Sequence, residues 1–153
     1  MRGRLRAASV VAATGLAVLG CGSSSDSGAI GQAAERASAS RVIEVRQLQE
    51  LKFEPASVAV KAGETVTFRI TNAGTQVHEF FIGDQKAHDE HDDSMGAMGS
   101  EPMKMKAEPN AVTVDPGATA ELTWAFPEKG DVQFACHEPG HYDDGMKGTV
   151  KVS

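Results

Sequence analysis

The sequence predicts an all-β domain, an antiparallel β-sandwich of about seven or eight short strands. Short runs alternate apolar and polar residues, and turn signals built on Gly, Pro, Asn and Asp separate them at sandwich spacing. Sustained helical periodicity is scarce.

Taken in order, residues 42–48 form a weakly patterned first strand, with Val42, Glu44, Arg46 and Leu48 on one parity. Leu51-Lys52-Phe53-Glu54 alternates and stops at Pro55. Residues 57–61 form a strand that ends in the turn Ala62-Gly63-Glu64. The run 65–71 is the cleanest, with Val66, Phe68 and Ile70 facing one side before the turn 72–75. Residues 77–82 make a further strand. After a long interruption, 111–114 leads to the turn Asp115-Pro116-Gly117, and 120–126 is a strand bounded by Pro127. Residues 131–136 form the penultimate strand, and Met146 opens the last one.

The chain has 153 residues, which fits one folded domain. Its formal net charge of −6 argues against nucleic-acid binding. The start reads as an export signal. A basic segment, Met1-Arg2-Gly3-Arg4-Leu5-Arg6, precedes an apolar stretch over 7–19 that is too short to span a bilayer. Val18-Leu19-Gly20-Cys21 then resembles a bacterial lipobox, which implies lipidation at Cys21. Residues 1–20 are therefore expected to be a lipoprotein-type signal peptide and 21–40 a flexible Gly/Ser-rich tether, with Ala33-Ala34-Glu35-Arg36-Ala37 compatible with one short helix. The folded domain is expected over 41–153. The protein is expected to be extracytoplasmic, anchored to a membrane by lipid, and monomeric. With Cys21 lipidated and Cys136 engaged elsewhere, no disulfide is expected.

The chemistry concentrates in one run. Cys136, His141 and Met146 are spaced C-x4-H-x4-M. A thiolate with imidazole and a distant thioether is the donor set of a blue-copper site, which needs one more imidazole. His78, at the start of a separate strand, can reach the same end of the sandwich; His88 and His91 compete for the role but fall inside the interruption. Phe134-Ala135-Cys136, Pro139-Gly140-His141 and Gly145-Met146-Lys147-Gly148 resemble the C-terminal signature of the single-domain cupredoxins, the plastocyanin/azurin-like blue copper proteins. The resemblance spans 42–152 outside the insert. It implies a Greek-key sandwich, one type 1 copper held by His78, Cys136, His141 and Met146, and electron exchange through the edge of His141. Many members carry Asn directly after the first ligand His, where it ties that strand to the Cys loop. This chain has Glu79, whose ionised carboxylate cannot donate the same hydrogen bonds. His137, next to Cys136, is expected to point to the opposite face as a satisfied or surface histidine.

The interruption, residues 83–110, is read as an irregular functional loop. It holds four of the chain's six methionines and two of its five histidines, beside several acids. Thioethers favour Cu(I), whereas imidazole and carboxylate favour Cu(II). A second, weaker copper site from His88, His91, Met95, Met98, Met103 and Met105 is therefore expected alongside a solvated acidic loop as the plain alternative. Two functions follow. One is a non-enzymatic carrier of single electrons between extracytoplasmic redox partner proteins. The other is a copper-binding, copper-tolerance protein that uses the insert to bind or hand on copper. No catalytic residue is expected, since four protein donors leave a copper no open position.

Overall fold

In a computed structural model, residues 31–98 and 108–153 are described, and they form a sandwich of two five-stranded sheets with one helix. The strands are β1 (Gln32–Ala33), β2 (Arg41–Leu48), β3 (Lys52–Glu54), β4 (Ser57–Val60), β5 (Glu64–Asn72), β6 (His78–Gly83), β7 (Ala111–Val114), β8 (Thr119–Phe126), β9 (Gly130–Ala135) and β10 (Lys147–Val152). The helix, α1 (Gln85–Met98), lies between β6 and β7. One sheet runs β1-β8-β5-β2-β3 and the other β4-β10-β9-β6-β7.

The strands fall where alternation puts them, with two corrections. The sheets are mixed rather than purely antiparallel: β2 runs parallel to β5, and β10 parallel to β4. Both parallel pairs arise because the chain passes to the other sheet at β4 and later returns beside it at β10. The count is ten among the described residues: β3 falls in the alternating run 51–54, and β1, two residues long, is too short for alternation to signal. The stretch read as tether is joined to the sheet from Gln32 onward, where β1 pairs with β8 and a 3-10 turn over Arg36–Ser38 follows.

The core is aromatic at its centre. Phe80 stacks on Phe134 at 5.2 Å, and Phe53 meets both rings edge-on. Val66, Phe68 and Ile70 of β5 are wholly buried, as the period-2 pattern requires. Trp124 and Phe126 of β8 close the same layer.

β6 departs from half-burial: all six of its residues are buried. Its inner face carries Phe80 and Ile82 into the core, and its outer face, with Glu79 and Phe81, lies under α1. The insert expected to be irregular is thus, in its described residues, largely helical. Asp84 caps it, its Oδ1 accepting the Ala87 N–H at 2.8 Å. Lys86 and Glu90 pair one turn apart on the solvent side. His88 and His91 face inward at helical spacing, with half-buried Met95 one turn further on.

Candidate metal centre

Three segments converge at one end of the sandwich. His78 opens β6, Cys136 follows β9, and His141 lies in the loop to β10. Cys136 Sγ is 3.4 Å from His141 Nδ1 and 3.9 Å from His78 Nδ1, and the two imidazole nitrogens are 3.3 Å apart. Among the described residues this is the one group of three metal-capable side chains with ligand atoms within 4.8 Å of one another. Met146 is fully buried in the same core cluster as Cys136.

The loop's backbone fixes these positions. The Cys136 N–H donates to Met146 O at 3.1 Å, and the Met146 N–H donates to His141 O at 2.9 Å. The C-x4-H-x4-M spacing therefore closes on itself through main-chain bonds. Gly140 and Gly145 take positive φ of 85° and 90°, which lets so short a loop turn twice. Outside the site, His141 Nε2 meets Gln76 Oε1 at 3.1 Å, which orients the ring with Nδ1 inward.

The electrostatics suit a soft cation. Burial, against the pull of nearby main-chain N–H donors, pushes the Cys136 thiol up to about 11. Burial, reinforced by each other's proximity at His78 and opposed by Asp144 at His141, lowers both imidazoles. They are neutral with a free nitrogen lone pair, the form that binds metal. The donor set, one thiolate sulfur and two imidazole nitrogens around a buried point, fits copper.

The Glu79 side chain does not tie its strand to the Cys loop. Its main-chain N–H donates to Cys136 Sγ at 3.3 Å, and its carbonyl accepts from Gln47 Nε2 at 2.9 Å. Its carboxylate turns to the other face and meets His91 Nε2 at 3.1 and 3.2 Å. The contact to the thiol is thus a backbone contact, which a change of side chain leaves in place.

The insert's histidines are brought together with His137 rather than with the methionines. His88, His91 and His137 pack around Phe81, and Tyr142 stacks on His137 at 4.7 Å. His88 Nδ1 is 2.9 Å from His137 Nε2. Met98 closes α1, whereas Met103, Met105 and Cys21 lie outside the described residues. His137, expected to be satisfied or at the surface, is buried and hydrogen-bonded. Sequence reasoning did not join Glu79, His137 and Tyr142 to the insert, although each immediately follows a metal-site residue; in β6 that adjacency alone turns Glu79 to the other face.

Comparison with known proteins agrees with this geometry. The family model for copper binding proteins of the plastocyanin/azurin family matches residues 40–153. The chain belongs to that family. It is 39% identical over 150 residues to a copper-resistant cuproprotein, CopI, of Pseudomonas aeruginosa, covering 81% of this chain and 82% of the relative. It is 38% identical to the CopI of Rubrivivax gelatinosus, covering 80% and 72% respectively. Among solved structures, an auracyanin of Roseiflexus castenholzii superposes with a TM-score of 0.63 at 27% identity, covering 75% of this chain and 98% of that one. Copper is the cofactor of this cupredoxin.

Proposed function

We propose that this protein is a copper-tolerance cupredoxin, acting outside the cytoplasm on a lipid anchor at Cys21 and holding one type 1 copper with His78, Cys136, His141 and Met146. The observation that carries the tolerance reading is the likeness, over about four-fifths of both chains, to a copper-resistant cuproprotein. The donor set supports the copper assignment: one thiolate and two neutral imidazoles meet within 4.8 Å, with a buried thioether following in the same loop. The residues' own contribution is to hold the donors rigidly on a β scaffold, exclude water from the sulfur, and keep His141 oriented by Gln76. Bound copper supplies a one-electron couple. A host strain lacking the protein should grow poorly in raised copper, with growth restored by the native chain and not by Cys136→Ser. Unchanged copper sensitivity on removal would refute the tolerance role.

A second reading is favoured by the placement of His141. Its ring is half-exposed, with Nε2 at the surface beside Gln76, so it offers a route for electrons between the copper and a redox partner protein. The auracyanin likeness supports the same reading. An intense thiolate-to-copper band, reversible bleaching by a reductant and exchange with a second redox protein are expected. A copper-loaded protein without that band would sink the type 1 assignment. Neither reading needs a substrate position at the metal, and the protein is read as a non-enzyme.

A further inference from the structure

The cluster under α1 contains a pair whose hydrogen bonds do not close without a cation. His88 Nε2 lies 3.2 Å from the main-chain oxygen of Gln133. A carbonyl only accepts, so Nε2 carries the hydrogen and a neutral His88 has a bare lone pair at Nδ1. His137 Nδ1 lies 3.2 Å from Asp92 Oδ1. A carboxylate also only accepts, so a neutral His137 has its lone pair at Nε2. Those two bare nitrogens face each other at 2.9 Å. Two lone pairs repel at that distance unless a proton or a metal ion sits between them.

A proton there makes an imidazolium in a buried place. His88 is 1% exposed and His137 3%. Burial holds His88 at about 4, despite the opposing pull of Gln133 O. A metal ion instead uses both lone pairs. The outer contacts are already those of metal-binding histidines, each of which gives its remaining N–H to a carbonyl or a carboxylate. Asp92, with its side chain 61% exposed, stands between the pair and solvent and marks the side of entry.

We infer that His88 Nδ1 and His137 Nε2 form a second metal site that takes copper(I). It deepens the copper-handling reading and depends on it only for the choice of metal. Imidazole alone leans to copper(II), but the number of donors decides here: copper(I) is satisfied by two donors in line, whereas copper(II) and zinc ask for about four. The remaining neighbours are committed: His91 Nε2 is held by Glu79, and the Tyr142 hydroxyl donates to Gln133 Oε1 at 2.9 Å. Bonds of about 2.0 Å to each nitrogen need the pair to open by about 1 Å at most, within the reach of small side-chain rotations.

The test is an anaerobic copper(I) titration of the full chain against a coloured copper(I) chelator, with copper(II) loading read separately by the visible band. The native chain should bind two equivalents. His88→Phe, which keeps an aromatic ring against Phe81, should bind one and retain an unchanged visible band; His88→Gln serves if the Phe variant does not fold. A chain with Met95, Met98, Met103 and Met105 all changed to Leu should still bind two. One equivalent in the native chain, or two in both His88 variants, overturns the site. Loss of the second equivalent in the Leu variant assigns it to thioethers and overturns it equally. A second equivalent of zinc that depends on His88 overturns the two-donor form. Absence of the visible band with the second equivalent intact would sink the type 1 reading and leave this one standing.

Discussion

Copper loading should expel one proton per copper, and that proton should come from Cys136. The thiol sits at about 11 in the metal-free fold, raised first by burial, against an ordinary value of 9.0. At pH 7 it is therefore a thiol, and forming the thiolate costs about 5 kcal/mol at 1.36 kcal/mol per pKa unit. Copper must overcome that cost, because the thiolate and not the thiol is the ligand. His78 and His141 are both lowered by burial, so above about pH 6.5 they are already neutral and release nothing. Between pH 7 and 9 the apparent copper affinity should then rise about tenfold per pH unit. In weakly buffered solution with an indicator dye, one proton should appear per copper bound at the Cys136 site, read with the visible band. No proton release, or an affinity flat with pH, would show that the thiol is ionised before copper arrives and would refute the burial argument. The same shift has a stability sign. The folded value lies above the unfolded one, so its contribution is full below about pH 9 and is lost as pH rises through about 11, removing roughly 3 kcal/mol from the metal-free protein.

Other perturbations test the surroundings of the site. At His91, burial works downward but the hydrogen bond and charge of Glu79, with Glu108, outweigh it, so the net shift is upward. Its stabilisation is therefore full below about pH 6.5 and fades as pH rises through the raised value; Glu79→Gln should flatten that part of a thermal-melt series against pH, and an unaltered slope would count against the pair. Gly148→Ala should destabilise the fold by about 1–3 kcal/mol, because a Cβ there overlaps the Phe134 ring and lies 2.8 Å from Ala56 O; denaturant midpoints measure it. Asp84→Ala removes the α1 cap and should cost about 1 kcal/mol, seen as faster amide exchange in the first turn of the helix, with the visible copper band unmoved.

Most strands were legible because apolar residues alternate with polar ones along them. β5 is the clearest case, where Val66, Phe68 and Ile70 alternate with Thr and Arg. The loop donors were legible because Cys136, His141 and Met146 sit in one short run with fixed chemistry. α1 was not, for a physical reason. Its buried face is made of Ala87, His88 and His91, and imidazoles do not register as apolar in a search for hydrophobic period. The spacing was present, three and four residues apart along His88, His91 and Met95, but it was read as metal-binding composition instead of a helix face. The parallel pairings of β2 with β5 and β4 with β10 were hidden as well, since periodicity gives the face of a strand and not its neighbour.

The two histidine groups are joined by residues adjacent in sequence. His78 is followed by Glu79, Cys136 by His137 and His141 by Tyr142. In extended chain, neighbours project to opposite faces, so in β6 His78 at the copper-binding end sets Glu79 on the outer face, while His137 and Tyr142, in the loop after β9, pack with the histidines of the insert. On a bare sheet those second residues would meet solvent, where a His and a Glu are ordinary surface groups. The insert changes this by laying α1 across β6. It converts Glu79 and His137 into buried groups that need partners, and α1 supplies His91 and His88 as those partners. Glu79 also reaches back to the copper site, its main-chain N–H donating to Cys136 Sγ at 3.3 Å. A helix added for a second purpose would therefore act on the copper site at no distance, through residues adjacent in sequence to its donors. The composition of the insert and the properties of the type 1 site are in this chain one design problem, joined at Glu79 and His137.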